Sequence, residues 1–339
     1  MPERPRLTPA IADVRRSVRE NWDAAGVQSG DHILVACSGG ADSLALAAAA
    51  QFEGARAGIL VAAVIIEHGL QEATQDVAAR TAKLLSELGL NPVLLRAVDV
   101  SHDPVAGGTE AAARTARYDE LQVAAEALDA KFVMLGHTLD DQAETVLLGL
   151  TRGSGPRSIA GMQAAKGLWL RPMLAIRRET TEAFCRDSGL DFWVDPHNSD
   201  EQFTRVRIRR NVLPLLEQEL GPGVAQALAR TAEILAEDLA YFEGQALAEF
   251  RRLAKVGSTG IELEVVELER LPKVIRIRVF QKALELLGQQ NSRTHLAAVN
   301  ELIENWHGQK ELTLPGVRVV RKGEQITFKT TKSLNPGAC

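Results

Sequence analysis

The chain has 339 residues, a hydrophobic fraction of 45% and a formal net charge of −5, so it can build two domains with sizeable apolar cores and is not broadly basic. Its three cysteines are widely separated and form no C-x-x-C pair, which argues against a disulfide framework or a cysteine-rich metal site. There is no apolar leader and no apolar run long enough to span a membrane, which predicts a cytoplasmic protein.

Strand and helix patterns alternate through the first 150 or so residues. The predicted strands are 32–37, 58–66, 92–98 and 131–136, and the predicted helices between them are 42–52, 72–89 and 109–129. Each strand is a continuous apolar run, as expected when helices cover both faces of a sheet. The pattern predicts an α/β fold with an open parallel sheet, in which ligands bind beyond the carboxyl ends of the strands.

The most informative segment follows the first predicted strand and precedes a predicted helix. It consists of Ser38, Gly39, Gly40, Ala41, Asp42 and Ser43. Glycine lets backbone N–H groups approach a ligand closely, and a helix N-terminus adds partial positive charge, so the segment predicts a phosphate-binding loop. It matches neither the Walker A loop nor the dinucleotide fingerprint. The alternative is an ordinary helix start that Ser38 or Asp42 caps.

Polar residues also follow the second and third predicted strands. Glu67 and His68 come directly after the second. In the helix that follows the third, Arg114 and Arg117 are three residues apart and share one face, with Tyr118 four residues from Arg114. A solvated helix face would account for this spacing without any ligand.

After the fourth predicted strand come His137, Asp141 and Glu144. The two carboxylates lie three residues apart near a helix start, so they share a face that can hold Mg²⁺ or engage an amine. The alternative is that acidic residues merely favour the first helical turn. His137 is a candidate nucleotide or phosphate contact because it adjoins the strand end, although a lone histidine is more often structural.

An arginine run, Arg205, Arg207, Arg209 and Arg210, stands out in the second half of the chain. Its alternating spacing predicts an extended segment with the first three side chains on one side, suited to phosphate. The alternative is a solvent-facing strand or a helix start. Beyond it, residues 224–254 predict a long helix, 260–266 a short strand, 273–288 and 293–306 two helices, and 310–330 two or three short strands.

Taken in order and spacing, these motifs resemble the tRNA(Ile)-lysidine synthetase family of the ATP-pyrophosphatase superfamily. The matching segments are SGGADS at 38–43, EHGL at 67–70, ARTARY at 113–118, GHTLDDQAET at 136–145, RGSG at 152–155, RPML at 171–174, DPHN at 195–198 and FTRVRIR at 203–209. The first corresponds to the family's pyrophosphate loop, hereafter the PP-loop. Three residues depart from the usual family pattern: Glu67 replaces Asp, His197 replaces Ser, and Val206 replaces Asn.

The resemblance implies an adenine-nucleotide alpha-hydrolase-like PP-loop ATPase domain and a smaller, mainly helical α+β C-terminal domain. It implies ligation of free L-lysine to carbon 2 of the wobble cytidine in the CAU anticodon of tRNA(Ile). The cytidine is first adenylated by ATP with release of pyrophosphate, and AMP leaves when lysine attacks. The resemblance thus implies ATP, Mg²⁺, tRNA(Ile) and L-lysine as ligands, and suggests a homodimer.

The resemblance also distributes roles over the site. It places catalysis on Asp42, Asp141 and Glu144, and Mg²⁺ on Asp42 and Asp141. It places ATP on Ser38, Gly39, Gly40, Ala41, Asp42, Ser43, His68 and His137. It places lysine or tRNA on Arg114, Arg117, Arg152, Arg205, Arg207 and Arg209.

With this resemblance, the chain divides into five predicted segments. These are an N-terminal helical lead-in (1–28), the PP-loop catalytic domain (29–218), a helical connector (219–254), a C-terminal tRNA-binding domain (255–330) and a frayed tail (331–339). Two alternatives stay open. A tRNA thiolase of the same superfamily is disfavoured by the dispersed cysteines, and a non-catalytic tRNA- or nucleotide-binding relative is disfavoured by the intact loop and the carboxylate pair.

Overall fold

The computed structural model describes residues 7–67, 72–97, 109–153, 155–289 and 292–330, without the side chains of 72–75, 109–112 and 197. The predicted site residue His68 lies outside these ranges. The chain divides into two compact units, Met1–Ala236 and Glu237–Cys339. No helix within the described ranges is long and apolar enough to cross a membrane.

The first unit is built on a six-stranded sheet. Its strands are β1 (His32–Ala36), β2 (Leu60–Glu67), β3 (Val93–Ala97), β4 (Phe132–Leu135), β5 (Ala165–Lys166) and β6 (Trp169–Leu170). Their order is β3-β2-β1-β4-β6-β5, and every neighbouring pair is parallel except β5 and β6. The four predicted strands are confirmed. The chain moves from β1 to β2 on one side and returns to β4 on the other, so a crevice for ligands is expected where β1 and β4 end.

Helices cover both faces of this sheet, as predicted. They are α1 (Pro9–Ala25), α2 (Ala41–Ala57), α3 (Glu72–Glu87), α4 (Thr109–Ala127), α5 (Leu139–Thr151), α6 (Pro156–Ile159), α7 (Arg178–Asp187), α8 (Thr204–Arg207) and α9 (Leu213–Leu220). A 3-10 turn spans Pro196–Ser199, and a π-helical turn spans Ile208–Val212. Alternate residues of β1 enter different cores: Val35 packs with Trp22 and Phe184, whereas Leu34 packs with Leu121.

The N-terminal helix α1 belongs to the core of the first unit. Its residues Ile11, Val14, Val18 and Trp22 are buried in the same apolar cluster as the strands and α2. Thr8 caps this helix, accepting a hydrogen bond from the Ile11 N–H.

The second unit contains a five-stranded antiparallel sheet and three further helices. The long helix α10 (Val224–Leu253) contains the division between the units. It is followed by β7 (Lys255–Val256), β8 (Gly260–Glu264), α11 (Val265–Arg270), α12 (Lys273–Leu286), α13 (Arg293–Glu304), β9 (Leu312–Leu314), β10 (Val317–Lys322) and β11 (Gln325–Thr330). The strand order is β7-β8-β11-β10-β9, and Phe280 of α12 packs against Phe328 of β11 in the core.

Candidate functional site

The PP-loop connects β1 to α2 and is folded around one serine hydroxyl. Ser43 Oγ accepts a hydrogen bond from the Ser38 N–H at 3.1 Å and donates one to the Gly40 carbonyl at 3.0 Å. Gly40 is the N-cap of α2 and provides no side chain, so the first N–H groups of this helix have no partner one turn back. They are therefore available to phosphate oxygens.

The predicted pair Asp141 and Glu144 lies on one face at the start of α5. Asp141 accepts hydrogen bonds from the Thr138 N–H at 2.8 Å and the Thr138 hydroxyl at 2.9 Å. Glu144 is fully buried, at 0% side-chain exposure, and both of its oxygens accept from Arg209, at 2.7 and 3.2 Å. Arg209 also lies 3.4 Å from Asp141, so the shared face that the spacing predicts is confirmed.

A third carboxylate joins this pair through α7. Arg178, the first residue of that helix, donates from Nε to Asp42 at 3.1 Å and from Nη2 to Asp141 at 2.8 Å. Its Nη1 lies 3.9 Å from Glu144. Thr181, one turn further along α7, donates its hydroxyl proton to the other oxygen of Asp42. The PP-loop aspartate and the α5 pair are thus held together by a residue that the sequence interpretation did not select.

The three carboxylates differ in acidity. Burial raises the pKa of Glu144 above its ordinary value although Arg209 offsets part of this effect, and burial likewise raises the pKa of Asp42. Burial also acts on Asp141, but Arg178, the Thr138 N–H and Arg209 outweigh it and hold the pKa of Asp141 below its ordinary value. Asp141 is therefore the firmly ionised member of the pair, and Glu144 is the better proton acceptor.

A basic cluster, formed by Arg171, Arg114 and Arg117, lies near His137. Burial and the nearby charges of Arg171, Arg114 and Arg117 lower the pKa of His137 to about 4, against the attraction of Asp141. The imidazole is therefore neutral at pH 7. Its Nδ1 and the Nε of Arg171 are buried and make no hydrogen bond within the part of the chain that the structure describes. A ligand with polar groups would satisfy both atoms.

Arg114 and Arg117 flank an aromatic pair. Arg114 donates to the Tyr118 hydroxyl at 3.2 Å, as the spacing of four residues allows, and the Tyr118 ring contacts Trp169 edge-on at 4.7 Å between centroids. Burial lowers the pKa of Arg117, and no carboxylate is among the charges that act on it. A half-buried guanidinium without a counter-charge favours an anionic ligand on this face of α4.

The arginine run is helical, so the predicted extended segment is wrong. Residues of α8 and the π-helical turn follow a helical period, which separates the arginines into two faces. Arg205 and Arg209 turn towards Glu144, with Arg205 at 3.8 Å. Arg207 and Arg210 are exposed and donate to backbone carbonyls of residues 199–202. The alternation of charged and apolar residues was misleading because Val206 and Ile208 are buried by helix packing.

Arg152 is not brought into this cluster. It is the exposed C-cap residue of α5, at the opposite end of the helix from Asp141. At 1.5 Å of rise per residue, the two lie about 16 Å apart along the axis. The neighbouring Ser154 of the same motif lies outside the described residues.

The sequence analysis did not select Arg178 or Thr181, and it named Arg171 only as part of the RPML segment without a role. One signal for Arg178 was present. Two arginines, Arg177 and Arg178, stand at the start of α7, where the helix dipole disfavours cations. The structure explains the exception, because Asp140 pairs with Arg177 at 3.1 Å and accepts from the Arg178 backbone N–H at 2.8 Å. Cations at a helix start therefore indicate acidic groups brought in from elsewhere in the fold.

The Asp42–Asp141 pair, predicted to hold Mg²⁺, does not fit a metal ion as it is arranged. Asp42 accepts from Thr181 and Arg178 on separate oxygens, and Asp141 accepts from Arg178 and Thr138 on separate oxygens. All four carboxylate oxygens are therefore engaged by donors. In the described ranges, no three His, Cys, Asp or Glu side chains are grouped so as to hold a metal ion.

Comparison with known proteins gives two family matches and several close relatives. A model of the PP-loop domain matches residues 12–216, and a model of the TilS substrate binding domain matches residues 263–327. The tRNA(Ile)-lysidine synthase of Leifsonia xyli subsp. xyli is 52% identical over 298 residues, which cover 87% of this chain and 89% of the relative. That of Salinispora tropica is 44% identical over 342 residues, covering 98% of each.

A solved structure shares the fold at low sequence identity. The U34-tRNA thiolase NcsA from Methanococcus maripaludis, which carries a 4Fe-4S cluster, is 17% identical with a TM-score of 0.57. The match covers 67% of this chain and 80% of that one. At this identity the likeness extends to the fold alone.

Proposed function

The chain belongs to the tRNA(Ile)-lysidine synthase family, an ATP-using group of ligases with a PP-loop domain, and we propose from this that it joins L-lysine to carbon 2 of the wobble cytidine of tRNA(Ile). In this proposal ATP first adenylates the cytidine, pyrophosphate leaves, and lysine then displaces AMP. The observation that carries the proposal is the convergence of PP-loop Asp42 with Asp141 and Glu144 where β1 and β4 end.

The PP-loop binds the departing pyrophosphate in this proposal. Its glycines and the first turn of α2 offer N–H groups, and the Ser38 and Ser43 hydroxyls lie 3.3 Å apart beside them. We propose that Mg²⁺ arrives with ATP on phosphate oxygens, which it favours as ligands, because Arg178 already engages Asp42 and Asp141.

In this proposal Asp141 and Glu144 attract the ε-ammonium group of lysine, and Glu144 accepts its proton in place of one of the two hydrogen bonds from Arg209. An amine with an ordinary pKa near 10.4 must lose this proton before it can attack carbon 2. Burial raises the pKa of Glu144 and so makes it the proton acceptor, whereas ionised Asp141 provides the fixed negative charge. The nearby Arg209 and Arg205 are suited to the lysine carboxylate or to tRNA phosphates.

In this proposal the basic cluster around His137 binds the tRNA substrate. Neutral His137 and the orphaned Nε of Arg171 are suited to hydrogen bonds with the nucleotide, and Arg114 and Arg117 are suited to phosphate. The domain boundaries given above and a homodimer are also part of the proposal, and sedimentation of the purified protein tests the latter.

The proposed reaction predicts that the purified protein, supplied with ATP, Mg²⁺ and labelled lysine, incorporates label into a tRNA(Ile) transcript with a CAU anticodon. The same transcript with its wobble cytidine replaced by uridine should accept none, because the reacting carbon then belongs to another base. Incorporation is measured on acid-precipitated tRNA and requires ATP. Absence of label from the CAU transcript, or equal labelling of both transcripts, would remove lysidine formation as the function.

The exposed arginines of the run provide a separate test of tRNA contact. Replacing Arg207 and Arg210 together by glutamine should weaken tRNA binding and flatten its dependence on salt, by about one unit of log–log slope for each lost phosphate contact. Arg186→Gln, an exposed arginine of α7 that pairs with Glu182, is the matched control. Filter binding at several salt concentrations measures the slope. An unchanged slope in the double variant would assign both arginines to loop stabilisation alone.

A further inference from the structure

Three carboxylates from two helices converge on the single guanidinium group of Arg178. Its Nε faces Asp42 of α2 at 3.1 Å, its Nη2 faces Asp141 of α5 at 2.8 Å, and its Nη1 faces Glu144 at 3.9 Å. Each nitrogen of the group is thus directed at a different carboxylate. A planar guanidinium can bridge separate acidic groups in this way, which a lysine ammonium cannot reproduce with the same geometry.

The backbone around Arg178 is fixed independently of this bridge. The Arg178 N–H donates to Asp140 at 2.8 Å, Arg177 pairs with Asp140 at 3.1 Å, and the Thr181 hydroxyl donates to Asp42. Its side chain is only 22% exposed. The start of α7 is therefore anchored to the starts of both α2 and α5, and Arg178 is presented to the carboxylates from a rigid element.

We propose that Arg178 is a positioning residue that supplies the permanent positive charge between the PP-loop aspartate and the α5 pair, the place that the family resemblance assigns to Mg²⁺. The inference rests on the proposed function. It extends that function to a residue that acts on the reaction only through the three carboxylates that it holds in place. Without it, Asp42, Asp141 and Glu144 would repel one another, since each would be left near a like charge at low dielectric.

The balance of arginines and carboxylates around the site predicts that loss of Arg178 affects kcat and the KM for lysine differently. Arg178 and Arg209 face the three carboxylates directly, and Arg205 lies at the edge of the group, 3.8 Å from Glu144. Removing Arg178 leaves the carboxylates more negative and with fewer competing donors. The incoming ε-ammonium of lysine should then bind at least as tightly, although the carboxylates are no longer held in their working positions.

Arg178→Ala should therefore lower kcat for lysine incorporation by about 10²-fold without raising the KM for lysine, because the loss is of alignment and not of ammonium binding. Added guanidinium chloride at millimolar concentration should restore at least about tenfold of that loss by occupying the vacated position. Arg178→Lys should retain intermediate activity. Arg186→Gln, on the exposed side of the same helix, should behave as wild type in all respects.

A second measurement does not depend on lysidine formation. Binding of Mn²⁺ to nucleotide-free protein, followed by electron paramagnetic resonance, should be weak in wild type and stronger in Arg178→Ala, whose carboxylate oxygens are released. The proposal is overturned if wild type binds Mn²⁺ as tightly as the variant, if Arg178→Ala keeps kcat within about threefold of wild type, or if its KM for lysine rises in step with the loss of kcat.

Should the alanine variant not fold, Arg178→Lys and the wild-type Mn²⁺ titration decide the question. If the wild-type protein does not incorporate lysine, the proposed function is wrong. In that case the role of Arg178 is decided by the Mn²⁺ binding measurements alone.

Discussion

Replacement of Glu144 by glutamine is expected to lower the rate of lysine incorporation by about 10²- to 10⁴-fold, the usual loss when a general base is removed. Glutamine has the shape of glutamate, so the packing around this fully buried position is preserved. The binding constant for tRNA should stay within about twofold of wild type, because affinity for RNA rests mainly on phosphate contacts. Single-turnover incorporation and filter binding measure the two quantities.

The physical reason lies in the environment of Glu144. Burial raises the pKa of this carboxyl, while Arg209, 2.7 Å away, offsets part of that rise. A carboxylate whose pKa is raised by burial binds a proton more strongly than an exposed carboxylate does. The amide of glutamine cannot accept that proton, and the variant must rely on water to deprotonate lysine.

A matched control is available one helix away. Glu179, in the first turn of α7, is exposed and neighbours Arg178 in sequence, so Glu179→Gln makes the same chemical change beside the site. Its incorporation rate should equal that of wild type. If Glu144→Gln also turned over at the wild-type rate, Glu144 would be a structural partner of Arg209 and not a base.

The fold was largely predictable because its signals are local. The strand ending at Ala36, the glycines of the PP-loop and the helix that begins at Ala41 follow one another without interruption, and continuous apolar runs identify the central strands. Spacing along one helix also placed Asp141 and Glu144 on a common face. These inferences need only the periodicity of a helix or strand and no information on tertiary packing.

The positions of Arg178 and Arg209 could not be predicted in the same way. Arg178 reaches Asp42 across 136 residues of chain, a contact set by the packing of α7 against α2. The arginine run alternates with apolar residues as a strand would, yet burial of Val206 and Ile208 selects a helical turn. Long-range pairing and packing decide these features, and a single sequence carries only indirect signs of them.

The second large effect is expected at Gly39, where alanine should reduce kcat/KM for ATP by more than about 10²-fold, since small displacements of groups that align a substrate carry losses of this size. Gly39 has φ +85°, and a Cβ atom there would lie 2.6 Å from the Thr81 hydroxyl. Thr81 is buried in α3, so the loop must shift away from the phosphate-binding position. Release of pyrophosphate from ATP measures the loss.

Two comparison variants separate the steric clash from the backbone strain. Gly26→Ala imposes a similar left-handed conformation, φ +68°, at the end of α1, where a Cβ would meet nothing within 4 Å. It should cost about 1–2 kcal/mol of stability and leave the rate with ATP unchanged. The double variant Gly39→Ala/Thr81→Ala removes the colliding hydroxyl and should recover most of the lost rate. If it recovers none, the left-handed conformation of Gly39 accounts for the whole effect, and α3 has no part in holding the PP-loop in place.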